Sequence, residues 1–260
     1  MFCVVDVRGV TQLHDVVYIV CRLPKTILRF NAATHEQLTD IDIWGLNAPW
    51  DIVTCEQTSQ LYVADLVNSV FRVLADGADI HIRRWWRRSS TNKSKPTSLS
   101  VTSTRLLVTL YNSKQLIQLD SLGDELRRVQ LPDSMEPRHA VESPTGTFII
   151  SHFNRQPERH QISEVNRHGQ VLRQFTGSRL PSLGSTLHIA IDSHGNVFVA
   201  DAGNSRILLL DAQLRLRRLI IDEHQLNDKS PQRLCYREPT GQLMVGLYEK
   251  KVAVFDVLCR

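Results

Sequence analysis

The segment His188–Asp211, HIAIDSHGNVFVADAGNSRILLLD, carries three short β-type runs separated by two turns. HIAI (188–191) is apolar and β-branched, and DSHGN (192–196) is a turn in which Gly195 can take positive φ. VFVAD (197–201) reads as a strand covered on both faces, because it is an unbroken apolar run rather than an alternation. A second turn, AGNS (202–205), leads into RILLLD (206–211). Beyond it Arg215–Ile221 mixes charged and apolar residues, as a strand with one edge toward water should.

The buried run recurs along the chain. VYIVC, LYVAD, LLVTL, FIISH, VFVAD and LMVGL end at Cys21, Asp65, Leu110, His152, Asp201 and Leu247, at intervals of 44, 45, 42, 49 and 46 residues. A period in the 40s with four short strands per unit marks units that stand radially and close into a propeller. The second unit reads as Pro49–Thr54, Gln60–Asp65, Ser69–Leu74 and Asp79–Trp85. The fourth reads as Pro137–Glu142, Thr147–His152, Gln161–Val165 and Val171–Phe175. Six units fill the 260 residues, so 1–260 is expected to be one all-β domain, a six-bladed β-propeller of four-stranded blades. The last unit has only three strands, Gln232–Tyr236, Gln242–Leu247 and Lys251–Val257, while a spare strand, 2–7, precedes the first. That spare strand is expected to complete the last blade and close the ring, removing an exposed edge. Closure would bring Cys3 near Cys259, and both free thiols and a disulfide fit the sequence there.

Composition narrows the class. Hydrophobic residues make up 42% and charged residues 22%, enough for a large core in a globular chain. No apolar run approaches the ~18 residues of a membrane-spanning helix, so no membrane association is expected. The opening MFCVVDV meets Asp6 and Arg8 too early for a signal peptide, which points to a cytoplasmic protein. Five cysteines with no CxxC signal neither a zinc cluster nor a disulfide framework. GxSxG, HExxH, P-loop and GxGxxG motifs are all absent, so neither catalysis nor a cofactor is expected.

With these residues in view, His188–Asp211 resembles the repeat of the NHL family: the hydrophobic strand, the Asp-x-x-Gly-Asn turn, the VAD strand end and the Asn-x-Arg-Ile entry to the third strand. LYVADLVNSVFRV (61–73) is a weaker match, and Leu110, His152 and Leu247 depart from the Asp of the motif. The resemblance implies a six-bladed propeller, usually without catalysis. It also implies a partner-recognition unit like that at the C-terminus of proteins carrying RING, B-box and coiled-coil segments, some of which bind RNA and others proteins. Such flanking segments would lie in a longer chain.

Propeller connectivity sorts the loops. Those from strand two to three and from strand four to the next blade share one face, which collects most of the basic residues; the opposite face is acidic. The densest basic segment on the first face is RRWWRRSSTNKSK, Arg83–Lys95. Arginines beside aromatics suit a phosphate backbone with stacked bases. The expected ligand is single-stranded or structured RNA, held by Arg87, Arg88, Lys93, Lys95, Arg155, Arg159 and Arg206 with Trp85 or Trp86 for stacking. Because adjacent tryptophans point opposite ways, one of them could instead pack between blades. An acidic protein segment would suit the same face.

Aligning the inner strands places one residue of each blade at the central channel: Gly9, Asp51, Ser98, His139, His188 and Arg233. Two imidazoles and a carboxylate can hold a divalent metal, which makes Asp51, His139 and His188 candidate ligands for a metal-dependent hydrolase or lyase. The competing reading is a polar ring without an ion, since Arg233 would repel a cation.

Overall fold

The computed structural model describes residues 2–3, 7–21, 23, 25–67, 69–76, 79–87, 95–175, 182–185, 187–248 and 251–257, with backbone alone at 2, 3, 75, 76, 79–81, 87 and 187. After a short strand β1 (Phe2–Cys3), the first blade is β2 (Val7–Leu13), β3 (Val16–Cys21), β4 (Thr26–Asn31) and β5 (Gln37–Asp42). The second is β6 (Pro49–Cys55), β7 (Gln60–Asp65), β8 (Ser69–Asp76) and β9 (Asp79–Arg87). The third is β10 (Pro96–Thr102), β11 (Arg105–Leu110), β12 (Gln115–Leu119) and β13 (Glu125–Gln130). The fourth is β14 (Met135–Glu142), β15 (Phe148–Arg155), β16 (Glu158–Val165) and β17 (Val171–Gln174). The fifth is β18 (Leu187–Ile191), β19 (Val197–Asp201), β20 (Arg206–Leu210) and β21 (Leu216–Ile221). The sixth is β22 (Pro231–Arg237), β23 (Gln242–Leu247) and β24 (Lys251–Asp256), completed by β1.

The inner strands β2, β6, β10, β14, β18 and β22 touch one another in cyclic order, so the six sheets form a closed ring. The closing strand sits where the sequence puts it, with Phe2 opposite Val252 and Cys3 opposite Lys251. The expected span 2–7 is divided, because Val7 already opens the inner strand of the first blade. Residues 4–6 and Cys259 lie outside the described residues, and with them the question of a Cys3–Cys259 bond.

One apolar cluster fills each wedge between neighbouring blades. The second strands supply both faces, which is why they read as unbroken apolar runs. All five residues of β19 are buried, whereas every residue of the outer strand β17 is exposed. At about 1.5–3 kcal/mol per fully buried large aliphatic or aromatic side chain, these wedges hold the ring together. Gly9 marks the closest approach of blades one and two, since a Cβ there would lie 2.6 Å from the Ile52 amide nitrogen.

The acidic end of the VAD run has a structural use. Asp201 accepts hydrogen bonds from the Gly184 N–H (2.7 Å), Asn204 Nδ2 (2.8 Å) and Arg206 Nε (2.7 Å). Asp65 accepts from the Asn47, Ala48 and Val67 N–H groups. Each buried carboxylate thus ties the loop entering its blade to the loop between its second and third strands. In the fourth blade His152 takes this position and bonds the Ser163 hydroxyl at 2.8 Å. That blade also departs from the expected boundaries: β15 and β16 extend past His152 and Gln161 to Arg155 and Glu158, which pair across a two-residue turn.

Candidate functional site

The channel is lined by a repeated local device. In five blades the inner-strand register shifts just before the channel residue, between Val7 and Gly9, Pro49 and Asp51, Pro96 and Ser98, Pro137 and His139, and Pro231 and Arg233. In four of the five a proline, which has no N–H for the ladder, stands at the shift, where a bulge is tolerated and re-aims the channel side chain. Asp51, Ser98, His139, His188 and Arg233 are all buried there.

Most of these side chains clasp a neighbouring blade. Asp51 accepts from the Leu99 N–H of the third blade at 2.8 Å as well as from the Ile52 N–H. His139 lies 3.2 Å from the Leu99 carbonyl, so its Nε2 must be the donor. His188 Nδ1 accepts from the Leu234 N–H of the sixth blade at 3.2 Å. Arg233 donates to the Arg8, Gln232 and Trp50 carbonyls. Burial raises the Asp51 carboxyl to about 6, against the opposing pull of Arg233 and the two N–H groups. Burial, then the Arg233 charge, lowers His139 to about 3. Burial, His139 and Arg233 push His188 well below the ordinary histidine range.

These bonds decide whether the three candidate metal ligands act as a set. One atom from each of Asp51, His139 and His188 lies within 4.8 Å of the others, so the structure brings them together. His139 keeps a lone pair on Nδ1. His188, neutral and accepting on Nδ1, carries its proton on Nε2 and has no lone pair left to offer. The two rings lie 3.7 Å apart between centroids, tilted by 38°. A dication would meet one carboxylate already matched by Arg233. The ring reads as an inter-blade clasp in which His188 has no lone pair for a metal.

Above the clasp, on the face of the two-to-three and four-to-one loops, the channel widens into a vestibule of about 650 Å³. Its cations are Arg8, Lys95, Arg138 and Arg233, and among the described residues no carboxylate lines it. Arg8 lies 4.3 Å over the Trp50 ring and Arg138 4.9 Å over Tyr111. Such stacking holds each guanidinium plane in place for about 0.5–1 kcal/mol. Behind the wall, Glu136 accepts from Tyr111 and Arg155 and lies 3.8 Å from Arg138. Burial alone would raise Glu136, but these hydrogen bonds and charges bring its carboxyl below the usual range. The opposite mouth is a smaller cavity of about 250 Å³ that includes Glu56.

The described residues among those expected to hold RNA take different places. Trp85 and Trp86 are half-buried and pack against the apolar wedge between blades two and three. Trp85 stacks on Tyr62 with centroids 4.9 Å apart, and touches the turn at Gly123, where a Cβ would come within 3.1 Å of the indole. Arg206 is buried on Asp201 as an internal ion pair, a correction to its expected place on the binding face. Arg155 is exposed but bonded to Glu136, and Arg159 lies exposed at the start of β16. Lys95 reaches the vestibule. Arg88, Lys93 and the Arg87 side chain lie outside the described residues. Arg8, Trp50 and Arg138, each directly before a channel residue, were not among the residues expected to hold a ligand, though Arg138 belongs to the basic face read from the sequence. The same inner-strand alignment, moved one position, finds all three.

No protein-family model and no curated protein matches the chain. Solved structures match its fold. Kuenenia stuttgartiensis hydrazine synthase is 11% identical, with 99% of this chain and 97% of that one covered and a TM-score of 0.67. A catalytically inactive variant of Staphylococcus aureus virginiamycin B lyase with quinupristin is 14% identical, with 97% and 80% covered and a TM-score of 0.68. The Swd1 propeller domain of Myceliophteria thermophila is 10% identical, with 97% and 84% covered and a TM-score of 0.62. At these identities the likeness is one of fold, shared by lyase and non-lyase propellers alike.

Proposed function

We propose that this chain is a recognition propeller that holds an acidic segment of a protein partner across the channel mouth. The observation that carries this reading is the vestibule itself, a compact cavity with four cations, no carboxylate in its described lining, and two arginines backed by aromatic rings. A cavity of that size suits one or two carboxylates. A nucleic-acid strand needs a longer cationic track. Several cations are engaged within the fold, Arg206 by Asp201, Arg155 and Arg138 by Glu136 and Lys114 by Asp133. That distribution weighs against RNA.

The test is a titration of a Glu- and Asp-rich peptide and of short random single-stranded RNA at low and high salt, with wild type and an Arg8→Glu, Arg138→Glu variant. Peptide affinity is expected to fall with salt and to drop at least about tenfold in the variant, as desolvated charge pairs at an interface do. RNA binding without peptide binding, lost in the same variant, would return the face to nucleic acid. Absence of binding by either probe would remove the vestibule as a site.

A further inference from the structure

The channel-mouth face is not uniform. Its blades six, one and two carry exposed large apolar side chains in adjacent loops: Tyr248 between β23 and β24, Leu23 between β3 and β4, Trp44 between β5 and β6, and Val67 between β7 and β8. Trp44 is 95% exposed. The matching two-to-three loops of blades three, four and five hold Lys114, the Arg155–Glu158 turn and Asn204 instead. Other exposed apolar residues, such as Leu126, Leu172 and Leu219, sit on outer strands along the blade flanks.

Two features make the apolar half a docking surface rather than a scatter of surface residues. The first is continuity, since Leu66, next to Val67, and Trp50, at the end of the loop that bears Trp44, both line the vestibule. The second is rigidity. The buried Asp65 carboxylate accepts from the Asn47 and Ala48 N–H groups on one loop and from the Val67 N–H on the other, and the Leu66 N–H bonds the Ala48 carbonyl. One side chain therefore holds both loops in place before any partner arrives, which lowers the ordering cost of binding. A solvent-facing indole on a loop whose end is held in this way is the kind of group that dominates an interface once a partner covers it.

We infer that the partner segment is bipartite, with an apolar stretch that packs on Trp44 and its neighbours over blades six, one and two, joined to carboxylates that enter the vestibule at Arg8 and Arg138. The inference rests on the reading of the vestibule as an acidic-segment site and adds the apolar half. Charge complementarity selects the occupant. The cations between the two halves repel a second copy of the same basic face, and they attract a chain that carries acids beside its apolar residues.

The experiment compares three unstructured peptides: one with Leu and Phe in its first half and Glu and Asp in its second, the acidic half alone, and the apolar half alone. Each is titrated against wild type, Trp44→Ser and the Arg8→Glu, Arg138→Glu variant, with tryptophan emission as a second readout. The bipartite peptide is expected to bind at least about tenfold more tightly than either half, to lose that advantage in Trp44→Ser, and to blue-shift the wild-type emission. Affinity of the acidic half should be the same in wild type and Trp44→Ser. If the acidic half binds and Trp44→Ser changes no affinity, the vestibule reading stands and the bipartite partner is wrong. Failure of both acid-bearing peptides overturns the vestibule reading and the inference together. Self-association in sedimentation that Trp44→Ser abolishes would give the apolar half to a second copy and overturn the inference. RNA binding lost in Trp44→Ser, with no peptide bound, would do the same in favour of nucleic acid.

Discussion

The four tryptophans divide into two pairs with opposite fates. Trp85 and Trp86 lie in the most basic stretch of the chain and look like a nucleic-acid platform, yet both are half-buried in the wedge between blades two and three. Trp44 and Trp50 lie in the uncharged run WGLNAPW, and both reach the channel-mouth face, Trp44 fully in solvent and Trp50 beneath Arg8 in the vestibule wall. An aromatic on an outer strand has a wedge to fill at the next blade. In the loop that climbs onto β6, Ile43 and Leu46 fill the wedge between blades one and two, and Trp44 between them is left on the surface. Position in the repeat, rather than the charge of the neighbours, separates the pair that holds the fold from the pair that meets a partner.

Removing one member of each pair is the strongest way to break this comparison. Trp85→Ala is expected to cost about 2–4 kcal/mol, from lost burial, a cavity in the wedge and the lost stacking on Tyr62. Urea denaturation measures it, and an unchanged midpoint would mean that Trp85 does not support the wedge. The channel clasp extends the comparison to groups that resemble a site and act as struts. The folded state keeps His139 neutral down to about 3, so its contribution to stability is complete above pH 6.5 and is lost as pH falls through that window. At about 1.4 kcal/mol per unit, His139 alone removes about 2 kcal/mol by pH 5. His188 acts in the same direction. Asp51 acts in the opposite one, because its raised pKa gives the folded state a proton first; that offsets about 1 kcal/mol at pH 5. Denaturation midpoints at pH 7 and pH 5 should therefore differ in wild type and differ less in His139→Gln, where an amide can still donate to the Leu99 carbonyl. The smallest effect belongs to Trp44→Ser, whose stability should stay within about 0.5 kcal/mol of wild type, as for most surface substitutions. A larger loss would mean that Trp44 packs on its own protein.

The blades were legible because each middle strand is covered on both sides and must be an unbroken apolar run. The channel residues were legible because the inner strands repeat their register, bulge included. What stayed hidden depends on pairings between distant loops. Nothing near Trp44 in the sequence says that Asp65, in the next blade, pins the end of its loop. Nor does the run of cations around Arg155 and Arg159 reveal that Glu136, across the sheet, engages the first of them. The VAD motif itself was visible, but its acid works inward, drawing Arg206 off the surface that a count of charges assigns to it.

Ring closure through β1 has a temporal consequence. Phe2 and Cys3 pair with Val252 and Lys251, residues separated by nearly the whole described chain. A segment made before every blade is thus among the last to find its place. Until the sixth blade exists, Val7, Val10 and Ile19 lack Met244 and Val252 as neighbours, and one wall of that wedge stays wet. Contacts this remote in sequence slow folding and lengthen the interval in which apolar surface is open to other chains. For this protein the most delicate moment of biogenesis should be the meeting of β1 with the sixth blade.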